Sequence, residues 1–146
     1  MTQSAEFNFS HVGICVSDKE RSLRFYTEGL GFTVTQSLEV GAPFHIISEL
    51  PELKLYAIFM IRDGVSVELL YHERPAAIGL AERRPMNQLG LTHLSFTVND
   101  LAAAANRIVK FGGYAYAHTK VTSPAGDMMF CTDPDGVRIE LWQKTV

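Results

Sequence analysis

Apolar side chains recur at every second position over residues 9–16. Val12, Ile14 and Val16 share one face there, and His11, Gly13 and Cys15 the other. A period of two marks a strand with one buried face. The rhythm returns at 93–98, where Leu94, Phe96 and Val98 oppose His93, Ser95 and Thr97. Each strand leads into a helical pattern. Ser17 and Glu20 have the spacing of a capping box, and Leu23, Tyr26 and Leu30 follow at helical intervals, with Gly29 or Gly31 ending the helix. Asp100 opens a second helix, an alanine-rich run to Lys110 stopped by Gly112 and Gly113. Residues 44–47, 55–61 and 65–71 are rich in β-branched and aromatic side chains and read as strands. The turn Arg62-Asp63-Gly64 makes the last two a hairpin. In the second half, strands at 127–132 and 137–143 flank the turn Asp133-Pro134-Asp135-Gly136.

The two halves are copies of one design. The segment beginning at His11 aligns without a gap on the one beginning at His93, 82 positions later, as far as Gly31 and Gly113. Asp63-Gly64-Val65-Ser66-Val67-Glu68-Leu69 aligns on Asp135-Gly136-Val137-Arg138-Ile139-Glu140-Leu141 at an offset of 72. The first copy therefore carries ten extra residues within 33–62, expected at the loop 48–54. The expectation is a single α+β domain over 1–146. It holds two tandem βαβββ modules (7–72 and 89–146) joined by a linker at 73–88, and forms a curved mixed sheet or half-barrel cleft.

Each module places a histidine on its first strand and a glutamate on its last, on faces opposite the apolar ones. In 65–71 Glu68 opposes Val67 and Leu69, and in 137–143 Arg138, Glu140 and Trp142 oppose Ile139 and Leu141. One histidine or glutamate on a strand is usually an ordinary polar residue. Four at repeat-equivalent positions point to one divalent metal ion held by His11, Glu68, His93 and Glu140. Two neutral imidazoles and two carboxylates balance the charge of an M(II) ion, and mixed nitrogen and oxygen donors suit nickel, cobalt, zinc, manganese or iron. Such a set leaves two octahedral positions open, as Lewis-acid catalysis requires.

The net charge of −3 gives no electrostatic case for nucleic acid. Arg83 and Arg84, with Arg74 nearby, read as a solvated loop. There is no signal-peptide pattern and no apolar run of membrane-spanning length. Cys15 and Cys131 lack a paired spacing and read as free thiols. A soluble, cytoplasmic protein is expected.

The strand His11-Val12-Gly13-Ile14-Cys15-Val16, with Phe25-Tyr26, Leu30-Gly31-Phe32, Thr92-His93-Leu94 and Asp133-Pro134-Asp135-Gly136 before Ile139-Glu140-Leu141, resembles the vicinal oxygen chelate superfamily. That superfamily contains glyoxalase I, bleomycin-resistance proteins and extradiol dioxygenases. The resemblance implies a substrate whose neighbouring oxygens chelate the metal as an enediolate forms, with a carboxylate moving the proton. Glu140 would be ligand and proton shuttle, and Glu68 ligand with a second proton role. The four-ligand set is similar to that of glyoxalase I, a lyase; methylmalonyl-CoA epimerase, an isomerase, resembles it but usually has glutamine at the position of Glu68. Two alternatives follow from the same family. An iron(II) extradiol dioxygenase would use His11, His93 and Glu140, leaving Glu68 surplus; a binding protein of the resistance type would need no metal. Cys15 and His72 stand where glyoxalase I carries glutathione contacts, so glutathione is not implied. His45 is a candidate base or an ordinary exposed residue, and Trp142 and Leu70 line the cleft or complete the core. A homodimer is expected, with the ligands meeting within one chain or across two.

Overall fold

The computed structural model describes residues 5–145. Strand β1 (Val12–Val16) leads into helix α1 (Lys19–Arg24), which continues as a π-helical turn over Phe25–Gly29. Then come β2 (Thr33–Val40), α2 (His45–Ser48), β3 (Lys54–Arg62) and β4 (Val65–Arg74). The second module runs β5 (His93–Thr97), α3 (Leu101–Lys110), β6 (Tyr114–Ala115), β7 (Val121–Ser123), β8 (Gly126–Thr132) and β9 (Arg138–Lys144). Two separate sheets result, ordered β1-β4-β3-β2 and β5-β9-β8-β6, with β7 beside β8. In each the first strand lies parallel to the last of its module, and all other pairs are antiparallel. The fold is α+β, and the described strands form no closed barrel.

Two local expectations are corrected. Residues 44–47 were expected as a strand on composition, but His45–Ser48 is a helical turn, ended by Glu49 in the left-handed region at φ 54°. Its apolar side chains stay outside, Ile46 at 71% and Ile47 at 82% exposure, so no sheet face recruits them. The strand of that region is instead β2, an edge strand exposed almost throughout, which therefore lacks a buried stripe to announce it. The capping box also shifts by one residue. Asp18, not Ser17, caps α1 by accepting the Arg21 backbone N–H at 2.9 Å. Asp100 caps α3 as expected, accepting from Ala103.

Both modules share one core. Ile14, Val16, Phe25, Tyr26, Val67 and Leu69 of the first pack with Leu101, Ile108, Cys131, Ile139 and Leu141 of the second. Phe32 and Phe96 meet edge to face across the join. Burial of a large apolar side chain such as Phe25 contributes roughly 1.5–3 kcal/mol.

The turn Asp133–Gly136 locks the modules together. Asp133 accepts the Asp135 and Val137 backbone N–H groups, which shape the turn, and also the buried Tyr26 hydroxyl at 2.9 Å. Asp135 reaches into the first module, accepting from the Ser17 backbone N–H, the Ser17 hydroxyl and the Arg21 guanidinium. Burial pushes the Asp133 carboxyl up. Burial also raises the Tyr26 hydroxyl well above its ordinary range, assisted by the charge of Asp133.

Between β4 and β5, residues 75–92 contain neither helix nor strand. Arg84 donates to the Leu91 carbonyl at 2.6 Å, the Arg83 guanidinium lies 3.8 Å from the Tyr116 ring centroid, and Arg138 donates to the Arg84 carbonyl at 2.9 Å. The basic loop expected to be solvated is thus fastened to the second module. Gly136 makes the close approach possible, because a Cβ there would collide with the Glu82 backbone.

Candidate metal half-sites

Parallel pairing of first and last strands fixes which side chains meet. Gly13 stands opposite Glu68, and Ser95 opposite Glu140, so the carboxylates rise beside His11, which immediately precedes β1, and His93, which begins β5. His11 Nε2 lies 3.2 Å from Glu68 Oε2, and His93 Nε2 lies 3.9 Å from Glu140 Oε2. All four side chains are partly exposed, between 15% and 33%.

The pairs are oriented by matching surroundings. Ser10 Oγ sits 2.8 Å from His11 Nδ1, and Thr92 Oγ1 sits 2.9 Å from His93 Nδ1. With the hydroxyl accepting from Nδ1–H, the Nε2 lone pair faces the glutamate. Phe59, opposite Glu68 on β3, meets the His11 ring edge to face at 5.1 Å, and Phe130, opposite Glu140 on β8, meets His93 at 5.4 Å. The sequence carried a signal for this shell: a hydroxyl residue precedes the histidine in both copies. The aromatic partners needed the strand register.

The pairs are not identical. Ser95 donates to Glu140 Oε1 at 2.7 Å, whereas its repeat equivalent is Gly13, which leaves Glu68 untethered on that side. Beyond Gly13 on the same face, Cys15 Sγ lies 3.7 Å from His72 Nδ1. Burial, with the charge of Asp135, pushes the Cys15 thiol up, so it is a neutral thiol at pH 7.

The structure brings His11 to Glu68 and His93 to Glu140. Among the described residues, no three histidine, cysteine, aspartate or glutamate side chains cluster to hold a cation. Each pair supplies two of the four donors expected from the sequence. The donors themselves fit a first-row M(II) ion, which prefers mixed imidazole and carboxylate ligands. Two donors at ~2.1 Å from one cation stand roughly 3.0–3.4 Å apart, close to the spacing of the first pair; the second is somewhat wider.

A cavity of about 540 Å³ opens between β1 and β5 under the linker, lined by Cys15, Leu80, Arg84, Gln88, His93 and Arg138 among others. His45 lies elsewhere, on α2, in a smaller cavity with Glu52 and Arg74. Trp142 donates its indole N–H to the Ala125 carbonyl at 3.0 Å, and Leu70 packs toward Gly13. No described helix is long and apolar enough to cross a membrane.

Residues 8–141 match the family model of the glyoxalase/bleomycin resistance protein/dioxygenase superfamily. Over 138 residues the chain is 30% identical to a lactoylglutathione lyase of Salmonella typhimurium, covering 90% of this chain and 88% of that protein. It is also 30% identical over 105 residues to an ethylmalonyl-CoA/methylmalonyl-CoA epimerase of Cereibacter sphaeroides, covering 70% and 69%. A glyoxalase family protein of Bacillus cereus has the same fold, with a TM-score of 0.85 at 19% identity, over 100% of this chain and 99% of that one.

Proposed function

The chain belongs to the glyoxalase/bleomycin resistance protein/dioxygenase superfamily, and on that premise we propose that it is a metal-dependent lyase or isomerase of the glyoxalase type. It moves a proton on a carbon next to a carbonyl, in a small substrate with vicinal oxygens. One divalent cation, of the nickel, cobalt, zinc, manganese or iron group, is held by His11 and Glu68 of one copy together with His93 and Glu140 of a second, in a homodimer.

The observation that carries this reading is the duplicated, pre-oriented His–Glu pair. Each half offers one imidazole nitrogen and one carboxylate oxygen to the same side, with Nδ1 already engaged. A metal ligand histidine commonly has its other ring nitrogen held in this way, which fixes tautomer and ring angle. Neither half has enough donors by itself, so a second copy supplies the rest. Exposed apolar side chains at Phe7, Phe9, Ile78 and Leu80 provide surface for such a partner to cover.

When bound, the cation supplies Lewis-acid stabilisation of the charge that develops on the substrate oxygens. The chain's own residues do the rest. Ser95 holds one oxygen of Glu140, leaving the other to bind or to move a proton. Glu68, with glycine opposite, lacks such a tether and serves as ligand with a second proton role. Free thiols at Cys15 and Cys131 support a cytoplasmic setting.

Elemental analysis of tag-free protein beside Glu68→Gln and Glu140→Gln tests the proposal. About one metal ion per chain in the wild type, lost in both variants, supports it and directs a substrate screen to thioesters and α-oxo compounds. Iron retained by Glu68→Gln and lost by Glu140→Gln would replace it with the iron(II) extradiol dioxygenase. Failure to take up any metal would leave a non-catalytic binding protein.

A further inference from the structure

Arg138 is a repeat-breaking residue. Its equivalent in the first module is Ser66, so at this strand position the second half-site carries a cation and the first does not. On β9, Arg138 stands opposite His93 in the parallel register and shares a strand face with Glu140, two residues on. Its guanidinium lies 5.2 Å from the centroid of Phe130, whose ring also meets His93. One aromatic side chain thus sets both groups at the same wall.

The guanidinium is anchored but unspent. Nε donates to the Arg84 carbonyl at 2.9 Å, and among the described residues no carboxylate pairs with the fork. Arg84 is likewise held through a single backbone carbonyl. Both line the cavity of about 540 Å³ that includes His93. Its acidic members are Glu82 and Asp135, and Asp135 is already engaged by Arg21 and Ser17. A partly buried arginine without a counter-charge, fixed by its Nε, presents two parallel N–H donors.

We propose that Arg138, assisted by Arg84, forms an anion-binding subsite that takes a carboxylate or phosphate group of the substrate beside the His93–Glu140 pair. The inference rests on the lyase or isomerase reading for the word substrate, but the subsite itself requires no metal. The apolar lining at Val12, Leu80 and Leu91 suits the carbon skeleton between the anion and the reacting carbonyl.

The test is titration of the full-length protein, as purified and after dialysis against EDTA, with inorganic phosphate and separately with propionate. Arginine side-chain NMR signals report binding. The expected result is saturable binding of at least one anion in both preparations, with Arg138 Nε–H shifting. Affinity should fall tenfold or more in Arg138→Gln, partly recover in Arg138→Lys, and remain unchanged in Arg74→Gln. Preference for phosphate or for propionate identifies the head group. Thermal melting controls for folding, and metal content is measured in parallel, so loss of the metal reading and loss of the subsite are read independently. Equal binding by wild type and a folded Arg138→Gln, or no binding by the wild type, overturns the proposal.

Discussion

The hydroxyl of Ser95 lies 2.7 Å from Oε1 of Glu140, donating to it across the parallel pairing of β5 and β9. A Cβ added at the equivalent Gly13 would stand 3.7 Å from Glu68 Oε2 and 3.3 Å from Leu70 Cδ1, so that copy has neither a tether nor much room for one. Ser95→Ala is expected to weaken metal retention by roughly tenfold, the usual size of a lost outer-shell hydrogen bond. Competition with a chromophoric chelator measures it; unchanged retention would mean that Glu140 needs no tether.

Ser10 and Thr92 act alike on the two histidines. Ser10→Ala and Thr92→Val free Nδ1 and should each lower metal affinity by about tenfold, while Ser10→Thr and Thr92→Ser restore most of it. Chelator competition again reads the effect, and melting temperatures near wild type separate positioning from folding.

The placement of one site between two copies has a sharp signature. A His11→Ala/Glu68→Gln chain and a His93→Ala/Glu140→Gln chain each lack half of the set, and each alone should bind no metal. Unfolded together and refolded, their mixed dimers recover one complete site, so about half the dimers hold one ion. Recovery of none in verified mixed dimers would place the four ligands within a single chain.

Asp135 joins the modules through Ser17 and Arg21, and it is nearly buried while Arg21 is 44% exposed. Asp135→Ala strands the donors at the start of α1 and should destabilise the fold by about 1–3 kcal/mol. Urea unfolding followed by circular dichroism measures this, and a loss below about 0.5 kcal/mol, typical of a surface change, would deny the clamp its role.

Alkaline pH should unfold the protein through its core. Burial raises the Cys131 thiol to about 11 from an ordinary value of 9.0. The unfolded chain therefore releases this proton first, and stability present below pH 9 is lost progressively as pH rises toward 11. Tyr26, also raised, extends the loss above pH 10. Stability measured from pH 8 to 11 should fall less steeply in Cys131→Ala, whatever its absolute stability; an unchanged slope would exclude the thiol.

The repeat was legible because it was written in residue types: histidine, glutamate and the Asp-Gly turns recur at constant offsets, and alternation assigned them to polar strand faces. That reading specified two βαβββ modules, the α+β class and the family. It failed at 44–47 and missed β2, because an exposed edge strand and a short solvent-facing helix lack the buried stripe on which periodicity depends. It also put Ser17 in the cap, since pattern alone does not show that Asp135, 118 positions away, takes that hydroxyl. Local patterns are set by one chain segment against its own core, so sequence by itself determined the modules, their helices and the candidate ligands. How His11 meets Glu68, how Phe130 sets His93 beside Arg138, and the separation of the two pairs depend on register and module packing. Those contacts join residues remote in the chain, and only the tertiary structure decides them.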